Sequence, residues 1–161
     1  MALAALCGCQ SDKKSKGVGA LRVHIEIGAD NSGTSQMVSV VRSDPMAFNI
    51  ANDPILTEDS ILAAKVIDTR GGGFAVEVQF DNSSALMLEQ YSAGNPGKHL
   101  VIFGQWSDKV ADGRWLAAPL ITHRIFNGIL SFTPDMSREE ADRLVIGLNN
   151  VAKKIQKEQL K

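Results

Sequence analysis

The stretch that decides the fold is APLITHRIFNGILSFTPDMSREEADRLVIGLNNV, which occupies residues 118–151. Its first part holds two apolar segments around Asn127-Gly128, a dipeptide typical of a two-residue type I′ hairpin turn. A helix follows, because Ser137 and Glu140 have the spacing of a capping box. Apolar residues then recur at helical spacing at Ala141, Leu144, Val145, Leu148, Val151 or Ala152, and Ile155. Since this stripe must be buried, we expect the helix to pack on the hairpin before it.

Alternating apolar residues predict further strands, and a capped apolar pattern predicts two further helices. The predicted strands are residues 21–27, 37–42, 74–80, 100–106 and 115–121, with a short extended piece at 48–50. The predicted helices start at Thr57 and Ser83, and Gly71-Gly72-Gly73 is expected to end the first. We therefore predict an α+β fold, with an antiparallel (mixed) β-sheet and helices packed on one face.

Composition narrows the functional classes. The chain has 161 residues, a formal net charge of −1 and only 6% aromatic residues. Near-neutral charge and few aromatics argue against a nucleic-acid partner. The sequence contains no run of about 18 apolar residues, so it predicts no membrane-spanning helix.

The first nine residues, MALAALCGC, resemble a bacterial lipobox, with Cys9 as the residue that would carry the lipid. Acyl chains on Cys9 would anchor the domain to a membrane facing the periplasm. The segment lacks the basic start of a signal peptide, so a cytosolic chain with two inert thiols is the alternative. The predicted organisation is a signal remnant at 1–9, a flexible tether at 10–20, one domain at 21–155 and a Lys-rich tail at 156–161.

The sequence suggests no catalytic group, metal ligand, cofactor or small-molecule substrate. His24 and Glu26 lie on one face of a predicted strand, but no third ligand is near them in sequence. The triple glycine lacks the Lys-Ser/Thr of a phosphate-binding loop. Trp106 and Trp115 flank a polar connection, where they either cap the end of the sheet or form a surface for a partner.

Five segments in order carry a resemblance to a known family. They are PILT at 54–57, GFAVEVQF at 73–80, GKHLVIF at 97–103, APLI at 118–121 and FTPDMSREEA at 132–141. Together they resemble the head subdomain of the first periplasmic domain of SecD/SecDF protein-export membrane proteins, over residues 54–149. Here Phe103-Gly104-Gln105-Trp106 replaces the usual Leu-Asp-Gly turn.

The resemblance implies a non-enzymatic, extracytoplasmic domain in protein export. Its partner would be an exported or unfolded polypeptide, or a component of the translocase. The family's proton-carrying residues lie in membrane segments beyond the head, so no catalytic residue transfers to this chain. The alternative is an accessory lipoprotein that docks onto a membrane complex without contacting substrate.

Overall fold

A computed structural model describes residues 17–29 and 33–161. Its strands are β1 Ala20–Ile25, β2 Ser35–Val40, β3 Met46–Ala51, β4 Leu56–Thr57, β5 Ile61–Asp68, β6 Phe74–Phe80, β7 Leu100–Gln105, β8 Gly113–Ala117 and β9 Ile129–Phe132. The α-helices are α1 Asn82–Gly94 and α2 Arg138–Gln159, and short 3-10 turns occupy Glu58–Ser60 and Val110–Asp112. The predicted α+β fold is confirmed. The predicted lipid site Cys9 and most of the predicted tether lie outside the described residues.

The strands form three sheets rather than the single sheet expected. A four-stranded sheet has the order β4-β1-β7-β8, a three-stranded sheet has the order β5-β6-β9, and β2 pairs with β3 alone. All of these ladders are antiparallel, as predicted.

The apolar stripe of α2 is the centre of the main core. Leu144 and Leu148 are fully buried in one cluster with side chains of both larger sheets. The capping box forms as predicted: the Glu140 amide donates to Ser137 Oγ at 3.2 Å, and the Ser137 amide donates to Glu140 Oε2 at 2.8 Å. Helix α2 thus joins the four-stranded and three-stranded sheets into one packed unit.

The predicted hairpin around Asn127-Gly128 is wrong. Strand β8 pairs with β7, whereas β9 pairs with β6, so residues 118–128 connect two different sheets. Gly128 has a φ of +68°, but Asn127 lacks the positive φ that a type I′ turn requires. Pairing of β9 with β6 is favoured over the local hairpin because it buries Leu130 and Phe132 in the main core.

The helix predicted from Thr57 is also wrong, because residues 61–68 form β5. Thr57 makes no side-chain cap hydrogen bond, and a single 3-10 turn follows it. The apolar residues of this segment fit both the helical and the strand period. Pairing with β6 places Val66 opposite Val76, and this pairing selects the strand. Gly71-Gly72-Gly73 is therefore a hairpin turn, with Gly72 at a φ of +83°, and not a helix stop.

The two ends of the domain differ from the predicted boundaries. Gly19, placed in the predicted tether, is buried against α2, and a Cβ on Gly147 would lie 2.6 Å from the Gly19 nitrogen. Helix α2 continues to Gln159, so most of the predicted Lys-rich tail is helical. Helix α1 is capped by Asp81, which accepts from the Ser84 amide at 2.8 Å, rather than by Ser83.

Candidate functional site

The β2–β3 hairpin packs on the face of the four-stranded sheet opposite the main core. Val40 and Ile50 of the hairpin are buried in a second apolar cluster with Val101 of β7. His24 lies in this layer at 4% exposure, where its Nδ1 donates to the Ala51 carbonyl at 2.8 Å. Burial lowers the pKa of His24, and the hydrogen bond to Ala51 offsets only part of this effect.

The hairpin covers only part of that sheet face. Beside it, Arg22, Phe103 and Trp115 are successive cross-strand neighbours on β1, β7 and β8, and Trp115 also packs against the apolar cluster of the hairpin. The Phe103 and Trp115 rings meet edge to face, with centroids 5.4 Å apart. A Cβ at Gly113 would lie 3.0 Å from the Phe103 ring, so glycine leaves room for that ring.

We call the space between β2 and the row of Arg22, Phe103 and Trp115 the aromatic cleft. It comprises a cavity of about 550 Å³ bordered by Val41 and Pro45, and one of about 250 Å³ bordered by Gln36. Both cavities have Phe103 and Trp115 in their walls. A largely apolar cavity with a few charged groups is the ordinary form of a binding site.

Ion pairs fix one rim of the aromatic cleft. The Arg42 amide and Nε donate to Asp135 Oδ2 at 2.9 and 3.0 Å, which holds the turn after Val41, itself at an unfavourable φ of +67°. Arg114 donates to the Asp135 carbonyl and to Glu140 Oε2 at 3.0 Å. Both Arg42 and Arg114 are therefore already paired with carboxylates.

These contacts also shift the pKa values of Asp135 and Glu140. Hydrogen bonds from Arg42 lower the pKa of Asp135. Burial raises the pKa of Glu140, but hydrogen bonds from the Ser137 amide and Arg114 outweigh it, and the net pKa is below the ordinary value. Both carboxylates thus stay ionised and keep the rim arginines in place.

The edge of β2 that faces away from β3 is open. The Ile27 amide donates to the Asn49 carbonyl at 2.9 Å, so the backbone of Asn49 in β3 points away from β2. In an antiparallel ladder, the two residues of a pair point their backbone groups either both toward each other or both away. Met37 is the partner of Asn49, and Ser39 lies two residues further along β2. The amides and carbonyls of Met37 and Ser39 therefore point to the outer edge of β2. Both residues are exposed, and no described residue pairs with these groups. Unpaired strand edges accept further strands readily.

The two tryptophans predicted to form a partner surface, Trp106 and Trp115, lie in different surroundings. Trp106 is 4% exposed in the main core, with the Arg114 guanidinium 4.6 Å from its ring, so it supports the sheet from inside. Trp115 is in the wall of the aromatic cleft. No sequence motif marks Phe103 or Arg22 as site residues, although strand alternation places Arg22 on the same face as His24.

The histidine and acid considered as ligands have other partners. Glu26 Oε2 accepts from His99 Nδ1 at 2.7 Å, whereas His24 bonds to Ala51. Within residues 17–29 and 33–161, no group of three or more His, Cys, Asp or Glu side chains is arranged to hold a metal ion. None of the helices in the same residues is long and apolar enough to cross a membrane.

Comparison with known proteins agrees with this architecture. A family model described as SecDF, P1 head subdomain, matches residues 33–152. The chain belongs to this family. The predicted resemblance to the SecDF head is therefore confirmed, and the match begins earlier than residue 54.

Two solved structures share the fold. The structure titled "Structure and function of a membrane component SecDF that enhances protein export" superposes with a TM-score of 0.57 at 20% identity, over 86% of this chain and 65% of that chain. "Crystal structure of SecDF in Super-membrane-facing form" gives 0.57 and 20% over 82% of this chain and 19% of that one. This chain thus spans less than two thirds of either. No curated protein matches the sequence.

Proposed function

We propose that this SecDF head domain acts outside the cytoplasm as a non-enzymatic component of protein export that binds exported polypeptide in an extended form. The observation that carries the proposal is the open edge of β2 lying beside Phe103 and Trp115. Family membership associates the fold with export. The aromatic cleft supplies a surface suited to an unfolded chain.

Strand addition explains how such a site accepts many sequences. An extended chain paired with Met37 and Ser39 would gain main-chain hydrogen bonds that do not depend on side-chain identity. Every second side chain, roughly 7 Å apart along the strand, would face Phe103 and Trp115. The aromatic rings would then provide apolar contact without demanding one residue type.

Binding of a permanently unfolded, fluorescently labelled polypeptide tests this function. We expect the wild-type chain to bind with micromolar affinity, and Trp115→Ala to weaken binding by about tenfold, since a buried aromatic contact contributes on the order of 1–2 kcal/mol. Phe126→Ala is the matched control, because Phe126 is a 74% exposed aromatic on the 118–128 connection. Failure of several unfolded polypeptides to bind would contradict the proposal.

Docking onto a membrane complex without contact to substrate is a second candidate function. Phe126 and Leu120 favour it, since they are 74% and 50% exposed on one connection. Exposed aromatic and aliphatic side chains are typical anchors of protein interfaces. Crosslinking in cells from position 126 should capture one stable partner if docking is the function. Crosslinking from position 37, which is exposed on β2 beside the aromatic cleft, should capture many secreted proteins if the chain binds substrate.

We also propose that Cys9 is acylated and anchors the domain to the cell envelope. Small residues precede Cys9, and the polar stretch at 10–16 would separate the lipid from the domain. Mass spectrometry of the mature N-terminus should show cleavage before Cys9 and a mass increase on its sulfur and amine. An unmodified Met1 would contradict this assignment.

A further inference from the structure

We infer that the aromatic cleft selects extended segments in which a carboxylate side chain follows or precedes an apolar one on the same strand face. The inference rests on the proposed function and specifies its substrate class. The feature that carries it is Arg22, which borders the smaller cavity of the aromatic cleft, whereas Phe103 and Trp115 border both cavities.

Strand β2 runs along the aromatic cleft from one cavity to the other. Gln36, near the start of β2, borders the cavity that contains Arg22, and Ser39, near its end, borders the cavity toward Gly113. A strand added along β2 therefore passes over Arg22, Phe103 and Trp115 in turn. Adjacent strands of the floor are about 4.8 Å apart, and alternate side chains of the added strand are roughly 7 Å apart. Neighbouring inward side chains thus reach Arg22 and the aromatic pair at the same time.

Arg22 is the guanidinium at the aromatic cleft that is available to a ligand. Arg42 is bonded to Asp135 and Arg114 to Glu140, whereas Arg22 has no ion-pair partner in residues 17–29 and 33–161. A guanidinium beside apolar surface favours a carboxylate, which it can bind through two parallel hydrogen bonds.

One acid opposes this preference. Asp53 and Arg22 both act electrostatically on His24, so Asp53 is part of the local field at this end of the aromatic cleft. His24 itself is buried and holds the Ala51 carbonyl, so it offers no cation to a ligand near neutral pH. Removal of the Asp53 charge should therefore strengthen the binding of an acidic segment.

A set of short labelled peptides tests the inference with the full chain. One peptide carries Leu and Glu two residues apart, so that both side chains lie on the same strand face. Its isostere carries Gln in place of Glu, and both peptides are made in the two residue orders. In at least one order, the Glu peptide should bind about two- to fivefold more tightly than the Gln peptide, the range of a partly exposed ion pair. Methylation of the backbone amides that face β2 should weaken binding without any change to the protein.

Protein variants assign the preference to Arg22. Arg22→Gln should abolish the difference between the Glu and Gln peptides, and Asp53→Asn should increase it. Arg70→Gln is the matched control, because Arg70 is an exposed arginine in the β5–β6 turn, and it should keep the wild-type preference. Thermal melting of each variant checks that the fold is retained.

The outcomes separate the inference from the proposed function. If unfolded polypeptide binds but Glu and Gln peptides bind equally in both orders, the carboxylate preference is wrong and the proposed function stands. A preference that survives in Arg22→Gln also overturns the inference. If no polypeptide or peptide binds, both fail. A dimer formed through β2 that excludes the peptide would show that the occupant is a second copy, which again overturns the inference.

Discussion

Asn149 of α2 forms two hydrogen bonds with the backbone of Ala64 in β5. The Ala64 amide donates to Asn149 Oδ1 at 2.9 Å, and Asn149 Nδ2 donates to the Ala64 carbonyl at 2.9 Å. The side-chain amide thereby takes the place of a neighbouring strand at the outer edge of β5. This edge is protected, whereas the outer edge of β2 is not.

The first prediction concerns this pair. Asn149→Ala should lower the free energy of unfolding by about 1–3 kcal/mol, because the Ala64 amide and carbonyl lose their partners. Asn150→Ala is the control, since the Asn150 amide makes only a long 3.5 Å contact to the Gly17 carbonyl. Urea denaturation measures both. Equal stability of the two variants would show that water satisfies the edge of β5.

The second prediction concerns the close approach of Gly19 to Gly147. An alanine in a helix is normally about 1 kcal/mol more favourable than glycine. Here we expect Gly147→Ala to be destabilising, because its Cβ would lie 2.6 Å from the Gly19 nitrogen. Gly71→Ala is the control, since a Cβ at Gly71 would meet no atom within 4 Å. A higher melting temperature for Gly147→Ala would contradict this contact.

The third prediction concerns pH. The folded-state pKa of His24 is below its ordinary 6.5, so the unfolded chain binds this proton first and stability falls as pH drops below about 6.5. The loss is at most about 1.4 kcal/mol per pH unit and ends below the folded-state pKa. Asp135 and Glu140 have lowered pKa values, so their contributions are lost only at more acidic pH, below 3.8 and 4.5.

Chemical denaturation between pH 7 and pH 5 measures this effect. The wild-type chain should lose stability across that range, and His24→Gln should have a flatter profile. The exposed His123 provides the control, because His123→Gln should leave the wild-type slope unchanged. An identical slope in all three proteins would show that folding does not lower the pKa of His24.

The fourth prediction concerns the α2 stripe and its cap. Leu144→Ala should lower the free energy of unfolding by about 2–5 kcal/mol, since Leu144 is fully buried. Ser137→Ala should cost about 1 kcal/mol through the loss of the cap. The exposed Ile146 gives a matched control on the other face of the helix, and Ile146→Ala should have little effect. Calorimetric melting ranks the three variants.

Local sequence signals identified the elements whose residue patterns fit only one kind of secondary structure. The α2 capping box depends on Ser137 and Glu140, three residues apart, and it forms as predicted. Strand β6 alternates cleanly and lies centrally in its sheet. Family segments read in order also gave the correct family, although no single segment is specific.

Predictions failed where pairing with another strand decides between alternatives. The apolar residues of 61–68 fit a helix or a strand, and only the ladder with β6 selects the strand. Asn127-Gly128 favours a local hairpin, but burial of β9 beside β6 overrides it. The aromatic cleft was found only in part, because Trp115 stands out in the sequence whereas Phe103 lies within an apolar run that reads as core.

The seating of Gly19 on Gly147 has a consequence for orientation at a bilayer. If Cys9 is acylated as we propose, the eight peptide units from Cys9 to Gly17 span at most roughly 30 Å. The middle of α2, which contacts Gly19, would then stay within roughly 30 Å of the lipid headgroups. The domain could adopt only a limited range of orientations relative to the membrane. Extension of the 10–16 segment by inserted Gly-Ser repeats should relax this limit while leaving the folded core unchanged.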